Sequence, residues 1–209
     1  MKVLLTGANG YIGMRLLPLL LEQNHEVICC VRDQERFSIE PDLKNKVKII
    51  EVDFLEELDF ENFPKDIDAA YYLIHSMSSS TTDFDEKEEI SAKNFNSYAS
   101  YSGIKQVIYL SGIVNDDNLS KHLWSRKNVE EILYDGAYEL TVLRAGIIVG
   151  SGSSSFEIIR DLCEKLPLMI APKWVKTKTQ PISIRDVLSF LTGVLGNEDC
   201  YNQSFDISG

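Results

Sequence analysis

Short apolar segments alternate with longer segments of helical pattern along most of the chain. Six of the short segments are rich in β-branched and aromatic residues, which predicts buried strands. They span residues 3–5, 26–31, 47–52, 68–74, 106–110 and 140–143. Between them the pattern predicts helices, among them Phe84–Ser102, which ends before Gly103, and a second around residues 125–134. This alternation predicts an α/β fold with a doubly wound parallel sheet and helices on both faces.

The first predicted strand leads directly into three glycines. Gly7, Gly10 and Gly13 follow the apolar residues 3–5 and precede a second apolar stretch over residues 14–21. Glycine permits a tight turn and a close approach of pyrophosphate to the backbone, and the N–H groups at the start of a helix attract phosphate. The segment therefore predicts a dinucleotide site in a Rossmann-type fold. The expected loop contacts are Gly7, Asn9, Gly10, Tyr11, Ile12 and Gly13.

The end of the second predicted strand bears on the choice of dinucleotide. Arg32 and Asp33 follow the glycine loop by about 20 positions, where an acidic residue binds the ribose of NAD or an arginine binds the 2′-phosphate of NADP. Arginine comes first here, and a guanidinium matches a phosphate in geometry and charge. The sequence favours NADP(H). Asp33 can still accept a ribose hydroxyl, which keeps NAD(H) open, and a solvated Arg32 is the plainer alternative.

Composition and charge exclude several kinds of partner. With 209 residues the chain suits one domain, or one domain with a small lobe, and can bury a sizeable core. A formal net charge of −11 argues against binding to nucleic acid or to an anionic membrane surface. No apolar run reaches the roughly 18 residues of a spanning helix, and the first residues form a strand rather than a signal peptide.

The four cysteines lack the spacing of a zinc or redox site. Cys29 and Cys30 are adjacent in a predicted strand, whereas Cys163 and Cys200 stand alone in apolar surroundings. We expect all four to be small core residues in a reducing compartment. The expected location is the cytoplasm, and no metal is predicted.

The residues that end the predicted strands form a candidate binding crevice. In an open parallel sheet, ligands bind beyond the carboxyl ends of the strands. The residues found there are Gly7, Arg32, Asp53, His75, Ser111 and Arg144. Each alone can be an ordinary loop residue. As a set drawn from six strands, they predict one crevice.

Several motifs together resemble a known superfamily. Thr6-Gly-Ala-Asn-Gly-Tyr-Ile-Gly13 has the Thr-Gly-x-x-Gly-x-x-Gly form of the extended and atypical short-chain dehydrogenases/reductases. Later segments that resemble its landmarks are residues 52–54, 110–112, 143–145, 149–150 and 181–187. Residues 70–77 and 179–182 are similar to an atypical NAD(P)-binding branch with NmrA-like and epimerase-like relatives. The resemblance covers essentially the whole chain.

The resemblance implies further contacts and a division of the chain. The implied contacts are Asp53 and Phe54 at the adenine, His75 and Ser76 at the ribose and phosphates, and Ala145 and Ile147 at the nicotinamide. Residues 1–150 would form the NAD(P)-binding domain. Residues 151–209 would complete the sheet and contribute to the substrate side. Members of this superfamily often pair through long helices, which implies a possible homodimer through Phe84–Ser102.

The chain departs from the superfamily where the chemistry takes place. Members that oxidise or reduce a substrate carry a Tyr-x-x-x-Lys pair on the helix after the fifth strand, and the lysine lowers the pKa of the tyrosine. Aligning on Glu130 puts Arg126 at the lysine position and His122 at the tyrosine position. A shift of one residue puts Lys127 and Leu123 there instead. Neither register contains a tyrosine.

His122 and Arg126 are the candidate replacements for that pair. Imidazole titrates near neutrality and can exchange a proton with substrate, while Ser111 can orient a carbonyl. Arg126 can hold the nicotinamide ribose, although a guanidinium does not deprotonate. In the plainer alternative, His122 is a polar residue near the helix start and Arg126 pairs with Glu130. The sequence predicts an NADP(H)-dependent reductase or epimerase-like enzyme for a small-molecule substrate, or else a non-catalytic redox sensor or scaffold.

Overall fold

The elements follow one another in the alternating order expected from the sequence. The computed structural model describes residues 1–58, 60–61, 63–75, 84–113, 121–165 and 180–209, with the backbone alone at residues 84, 121–123 and 154–155. The strands are β1 (Lys2–Thr6), β2 (Glu26–Val31), β3 (Val47–Glu51), β4 (Ala69–Tyr72), β5 (Gln106–Gly112), β6 (Glu139–Ala145), β7 (Ile148–Val149), β8 (Ile182–Ser183) and β9 (Gln203–Ile207). The helices are α1 (Gly13–Glu22), α2 (Pro41–Lys44), α3 (Phe84–Ser102), α4 (Lys121–Tyr134), α5 (Ser154–Lys165) and α6 (Ile184–Gly193).

The main sheet has seven parallel strands in the order β3-β2-β1-β4-β5-β6-β9. The predicted doubly wound parallel sheet is confirmed. The order reverses between β1 and β4, and such a reversal opens a crevice at the carboxyl ends of the strands. β9 adds the last strand beside β6, and β7 and β8 form a separate parallel pair.

Several boundaries differ from the sequence prediction by a few residues, among them those of β4 and α4. β4 is shorter than expected, because beyond it the N–H of Leu73 donates to the side chain of Thr6 at 3.1 Å instead of joining a strand ladder. The hydroxyl of Thr6 in turn donates to the carbonyl of Tyr71 at 2.9 Å. α4 begins at Lys121, four residues before the predicted start, so position 122 lies in its first turn.

Each face of the sheet is covered by a pair of helices. α1 and α6 bury apolar side chains against one face, and α3 and α4 bury theirs against the other. Burial of one large aliphatic side chain stabilises the fold by roughly 1.5–3 kcal/mol. The helix residues buried against the sheet include Leu16, Leu17 and Leu20 of α1, Val187 and Leu191 of α6, Phe95 and Tyr98 of α3, and Val129 and Leu133 of α4. The sheet is therefore held between two apolar layers.

The cysteines are distributed differently from the expectation. Cys29 and Cys30 are buried in β2, as predicted, and Cys200 is half-buried. The prediction is wrong for Cys163, which is exposed on α5. The nearby apolar residues Ile159 and Leu162 are themselves exposed. The apolar sequence around Cys163 therefore did not indicate burial. Among the helices that the structure describes, none is both long and apolar enough to cross a bilayer.

Candidate cofactor and substrate site

The glycine turn after β1 leaves no room for side chains at two positions. Gly7 has a φ of 61°, and a Cβ there would lie 2.5 Å from the carbonyl oxygen of Leu73. A Cβ at Gly13 would lie 2.5 Å from the carbonyl oxygen of Gly7. α1 begins at Gly13, and its N-cap, Ile12, makes no side-chain capping bond. The N–H groups of Met14 and Arg15 donate to the carbonyls of Gly10 and Ile12, so within this first turn the N–H of Gly13 is the one available for an anion.

A cavity of about 270 Å³ opens over this turn and the neighbouring strand ends. Its lining comprises residues 7, 9–13, 30–32, 52–55 and 73–75, with Ser91 and Leu110. The structure thus brings together most of the predicted cofactor contacts. These are Gly7, Asn9, Gly10, Tyr11, Ile12, Gly13, Arg32, Asp53, Phe54 and His75.

Other predicted contacts lie outside that lining. Ala145 is buried in the core at the end of β6, and the carbonyl of Ile147 accepts a 2.9 Å hydrogen bond from the N–H of Ile182. The expectation that Arg144 lines the crevice is wrong, because its guanidinium pairs with Glu130. Ser76 and the side chain of His122 lie outside the described residues, as do residues 166–179.

Arg32 and Asp33 have different surroundings at the end of β2. Arg32 is exposed and lines the cavity, whereas Asp33 is absent from the lining. One carboxylate oxygen of Asp33 accepts from the N–H of Glu35 at 2.9 Å and from that of Arg36 at 3.2 Å. The other lies 3.1 Å from Nε of Arg36. Asp33 thus caps the following turn, and Arg32 is the charged residue of this pair that faces the cavity.

Asp53 and Phe54 shape the part of the cavity at the end of β3. The carboxylate of Asp53 accepts a 3.0 Å hydrogen bond from the N–H of Leu55, which fixes the turn. The Phe54 ring is buried and packs edge-on against Phe95 of α3, with ring centroids 5.8 Å apart. Nδ2 of Asn94 donates to the Phe54 carbonyl at 2.7 Å. α3 therefore holds this strand end in place.

His75 lies at the end of the cavity that follows β4. Its burial, together with the guanidinium of Arg126, lowers the pKa of His75 to about 3. The ring is therefore neutral around pH 7, with one nitrogen able to donate and the other able to accept a hydrogen bond. Arg126, on α4, contributes to this shift through its positive charge, but it is not among the residues that line the cavity.

Ser111, one residue before the end of β5, has a buried hydroxyl that lies beside the Tyr109 hydroxyl but makes no hydrogen bond of good geometry with the described residues. Ser111 is not among the residues that line the cavity. Tyr109, two residues earlier, faces the same side of the strand. Its hydroxyl donates to the carbonyl of Arg126 at 3.4 Å, which ties β5 to α4. Because an unpaired buried hydroxyl is costly, Ser111 is a candidate group for contact with a ligand.

The alternative pairing of Arg126 with Glu130 is not formed. Both carboxylate oxygens of Glu130 accept from the guanidinium of Arg144, one of them from Nε at 3.2 Å. Asp206 lies 3.8 Å from the same guanidinium. Lys127 is exposed, with its amino group 4.0 Å from Glu131. Of the two basic residues considered for the lysine position, Arg126 is half-buried and Lys127 is exposed.

The sequence of residues 7–152 matches the model of a protein family described as NAD(P)H-binding. The chain belongs to this NAD(P)H-binding family. No curated protein matches the sequence.

Solved structures share the fold of this NAD(P)H-binding protein. Gre2 of Candida albicans in complex with NADPH has a TM-score of 0.82 at 18% identity, covering 100% of this chain and 78% of that chain. Yeast methylglyoxal/isovaleraldehyde reductase Gre2 with NADPH has a TM-score of 0.78 at 18% identity and the same coverage. UDP-glucuronic acid 4-epimerase of Bacillus cereus, with UDP-glucuronic acid and NAD, has a TM-score of 0.76 at 18% identity, covering 100% of this chain and 78% of that chain. The predicted NAD(P)-binding family is confirmed, and the likeness to these reductases and to the epimerase shows the shared fold.

The cavity and the helices beside it also include polar residues that the sequence prediction missed. Ser91 of α3 is buried and lines the cavity, and Ser125 of α4 donates a 2.5 Å hydrogen bond to the buried Glu88 of α3. A pattern in the sequence could have identified these residues. Glu88 and Ser91 share a helical face with Phe95, so polar residues interrupt a buried apolar stripe.

Arg15 fastens the glycine turn to the loop after β7. Its guanidinium donates to the carbonyls of Tyr11 at 3.1 Å and Ser151 at 2.9 Å. It also stacks 3.9 Å from the centroid of the Tyr11 ring. Residues near 150 are thereby held close to the glycine turn.

Proposed function

We propose that the protein is an NADP(H)-dependent oxidoreductase, a reductase or an epimerase-like enzyme, that acts on a small molecule. The choice of NADP(H) rests on the different surroundings of Arg32 and Asp33. Arg32 lines the cavity with its positive charge, whereas both oxygens of Asp33 are engaged by the turn over residues 34–36. A site that presents arginine and withdraws the carboxylate favours a 2′-phosphate over a free ribose hydroxyl.

The rest of the cavity fits a dinucleotide. Gly7 and Gly13 leave no room for a Cβ, and no side chain caps the start of α1. Both features support pyrophosphate binding. Asp53 and Phe54 are proposed at the adenine, and His75 and Ser76 at the ribose and phosphates.

The remaining residues are assigned to the reactive end. When bound, the nicotinamide would supply or accept the hydride. We assign Ser111 to orient a substrate oxygen, His122 to exchange a proton with that oxygen, and Arg126 to hold the nicotinamide ribose. The buried hydroxyl of Ser111 and the positive charge of Arg126, which acts on His75, support two of these roles. Ala145 and Ile147 are proposed near the nicotinamide.

The assignment of the chain beyond residue 150 is also a proposal. We assign residues 1–150 to the NAD(P)-binding domain and residues 151–209 to the substrate side and the last part of the sheet. The position of β9 beside β6 supports this division. Pairing of two copies through α3 and a location in the cytoplasm stay predictions.

A non-catalytic redox sensor or scaffold is the second candidate. α4 carries the helix sequence in which the superfamily places its tyrosine, but the tyrosine it contains is Tyr134, at its last position. Tyr134 is 44% exposed, and its hydroxyl lies 2.8 Å from that of Ser204, so it is committed elsewhere. This observation favours binding without turnover.

Cofactor titration tests the first proposal. NADPH is expected to bind more tightly than NADH, and Arg32→Ala should weaken NADPH binding by roughly 10- to 100-fold, the effect of one charge-assisted contact. NADH binding should change little. Arg185→Ala, on an exposed residue of α6, serves as the matched loss of one charge. Equal affinities for the two cofactors, unaffected by Arg32→Ala, would contradict the assignment.

Turnover distinguishes the enzyme from the sensor. NADPH oxidation is measured against a panel of aldehydes, ketones and 2-oxo acids, with His122→Ala and Ser111→Ala as variants. The enzyme proposal expects turnover that falls at least about 100-fold in His122→Ala, the usual effect of losing a general acid. Tight NADPH binding without turnover on any member of the panel would favour the sensor.

A further inference from the structure

We propose that Ser91 of α3 is a further cofactor-binding residue, whose hydroxyl forms a hydrogen bond with the adenosine half of the dinucleotide. The inference rests on the proposed function and deepens it by one residue. The other contacts proposed for the adenosine lie at strand ends. Ser91 would add a contact from the helix that packs beside them.

The Ser91 side chain is buried at the wall of the cavity. It is 3% exposed and belongs to the cavity lining. Ser97 and Ser102, on the same helix, donate to the carbonyls four residues earlier, at 3.2 and 2.8 Å. The Ser91 hydroxyl makes no hydrogen bond with the described residues. Because an unpaired buried hydroxyl is costly, a ligand in the cavity that pairs with Ser91 is favoured.

The direction of α3 places Ser91 beside the ends of β3 and β4. The carbonyl of the last residue of α3 accepts from the N–H of Asp66, shortly before β4 begins. α3 therefore runs antiparallel to the strands, and its first half lies towards their carboxyl ends. One turn after Ser91, the Phe95 ring packs against Phe54 and Tyr72, with centroids 5.8 and 4.9 Å away. Residues four apart share a helix face, so Ser91 faces these two strand ends.

The helix is fixed to the end of β3 without the cofactor. Nδ2 of Asn94 donates to the carbonyl of Phe54 at 2.7 Å and to that of Glu56 at 3.2 Å. These bonds join α3, one turn after Ser91, to the segment that follows β3. The hydroxyl is therefore held in place before binding, which lowers the entropic cost of a contact with the ligand.

The lining at this end of the cavity suits a nucleoside better than a phosphate. The apolar side chains that the strand ends contribute are Cys30, Val52, Phe54, Leu55 and Ile74. The proposed function places the phosphates elsewhere, at the glycine turn and at Arg32. Asp53, at the end of β3, offers a hydrogen-bond acceptor, and Ser91 adds a neutral donor. Adenine and its ribose carry acceptors as well as donors, so the two side chains complement an adenosine.

The test compares NADPH with 2′,5′-ADP, which is its adenosine half including the 2′-phosphate. Isothermal titration calorimetry measures the binding of each. Ser91→Ala removes the hydroxyl, and Ser91→Cys keeps a side chain of similar size that is only a weak donor. Ser102→Ala is the matched control, because Ser102 is also a buried serine of α3 but does not line the cavity.

We expect Ser91→Ala to weaken the binding of NADPH and of 2′,5′-ADP by the same factor, roughly 2- to 10-fold, as one neutral hydrogen bond provides. Ser91→Cys should weaken both as well, and Ser102→Ala should leave both unchanged. Wild-type affinity in Ser91→Ala or in Ser91→Cys would overturn the inference. So would a loss of NADPH affinity that 2′,5′-ADP does not share.

Unfolding of the cofactor-free protein separates binding from a structural role. Ser91→Ala removes an unpaired hydroxyl and introduces a better helix former, so the midpoint of urea unfolding should not fall. Ser102→Ala removes a hydroxyl that is paired with the Tyr98 carbonyl, so its midpoint should fall. A lower midpoint in Ser91→Ala with unchanged affinity would mean that the hydroxyl serves the fold and not the ligand.

Failure of this inference can be separated from failure of the proposed function. If the proposed function is wrong, the wild-type protein binds neither NADPH nor 2′,5′-ADP. If only the inference is wrong, the wild-type protein binds both compounds and Ser91→Ala binds them equally well.

Discussion

Ser125 of α4 donates a 2.5 Å hydrogen bond to the carboxylate of Glu88 on α3, and both side chains are buried. The bond joins the two helices that cover one face of the sheet. It lies one residue before Arg126, whose carbonyl accepts from Tyr109. A hydrogen bond to a buried charged group is stronger than one between neutral groups. The pair therefore fixes the position of α4 against α3 and, with it, the reactive end of the proposed site.

Replacing the donor of this bond should destabilise the fold. We expect Ser125→Ala to lower the free energy of unfolding by about 1.5–3 kcal/mol, because the buried carboxylate of Glu88 loses a hydrogen bond. Urea unfolding measures the change. Ser100→Ala, on an exposed position of α3, should stay within about 0.5 kcal/mol of wild type. Similar values for both variants would show that the bond contributes nothing.

Gly7 and Gly103 both have a positive φ. Comparing alanine variants at the two positions separates the cost of backbone strain from the cost of steric crowding. Gly7 has a φ of 61° and Gly103 a φ of 70°, but only at Gly7 would a Cβ meet another atom within 4 Å. Gly103→Ala should therefore cost only the backbone strain, about 1–2 kcal/mol. Gly7→Ala should cost more and should abolish NADPH binding, as measured by unfolding and titration. Retention of NADPH affinity in a folded Gly7→Ala protein would exclude this turn as the phosphate site.

His75 should make stability depend on pH on the acid side. Its folded-state pKa of about 3 lies below the ordinary value of 6.5. The unfolded chain therefore takes up the proton first as the pH falls. The stability from neutral His75 is fully present above about pH 6.5 and is lost as the pH falls towards 3. The slope is at most about 1.4 kcal/mol per pH unit.

The variant His75→Gln isolates that contribution. Urea unfolding at several values between pH 6.5 and 4.5 should show wild type losing stability more steeply than the variant. The carboxylates titrate in both proteins and cancel in the difference. Parallel curves would mean that His75 is protonated as readily in the folded protein as in the unfolded chain.

The cysteines should differ sharply in reactivity. Cys163 is exposed, whereas Cys29 is buried and burial raises the pKa of its thiol to about 12. Burial also raises the pKa of the Cys30 thiol. Since the thiolate is the reactive form, iodoacetamide should modify Cys163 first in the native protein. Mass spectrometry of timed samples checks the order, and urea should remove the difference. Early modification of Cys29 would indicate local opening of β2.

The elements that the sequence predicted well are those with strong local signals. The bounds of α3 follow from an amphipathic helix that stops before Gly103, and the parallel strands follow from apolar runs between helices. The boundary of β4 was less accurate, because its end depends on Thr6, more than sixty residues earlier. The local pattern of apolar and polar residues cannot show a hydrogen bond between residues so far apart in the sequence.

The residues of the candidate site were likewise predicted only in part. The glycine turn and Arg32 were predicted from their spacing in a strand–turn–helix unit, and both line the cavity. The ion pair between Arg144 and Glu130 was missed, because two residues on different elements were assigned separate roles. The spacing of Arg126 and Glu130 allowed a bond between them. Tertiary packing instead gave Glu130 to Arg144.

The described sheet ends at β3 on one side and β9 on the other, so each presents backbone N–H and C=O groups that no neighbouring strand of the described sheet covers. Such edges invite strands of other chains and are a common origin of aggregation. Charged side chains stand on both: Lys48 and Glu51 are exposed on β3, and Asp206 on β9 is 58% exposed. Asp206 lies beside the partly exposed Phe205. A charge on an edge strand opposes pairing with a strand of another chain, so we expect Asp206 to disfavour association through β9, independently of the cofactor.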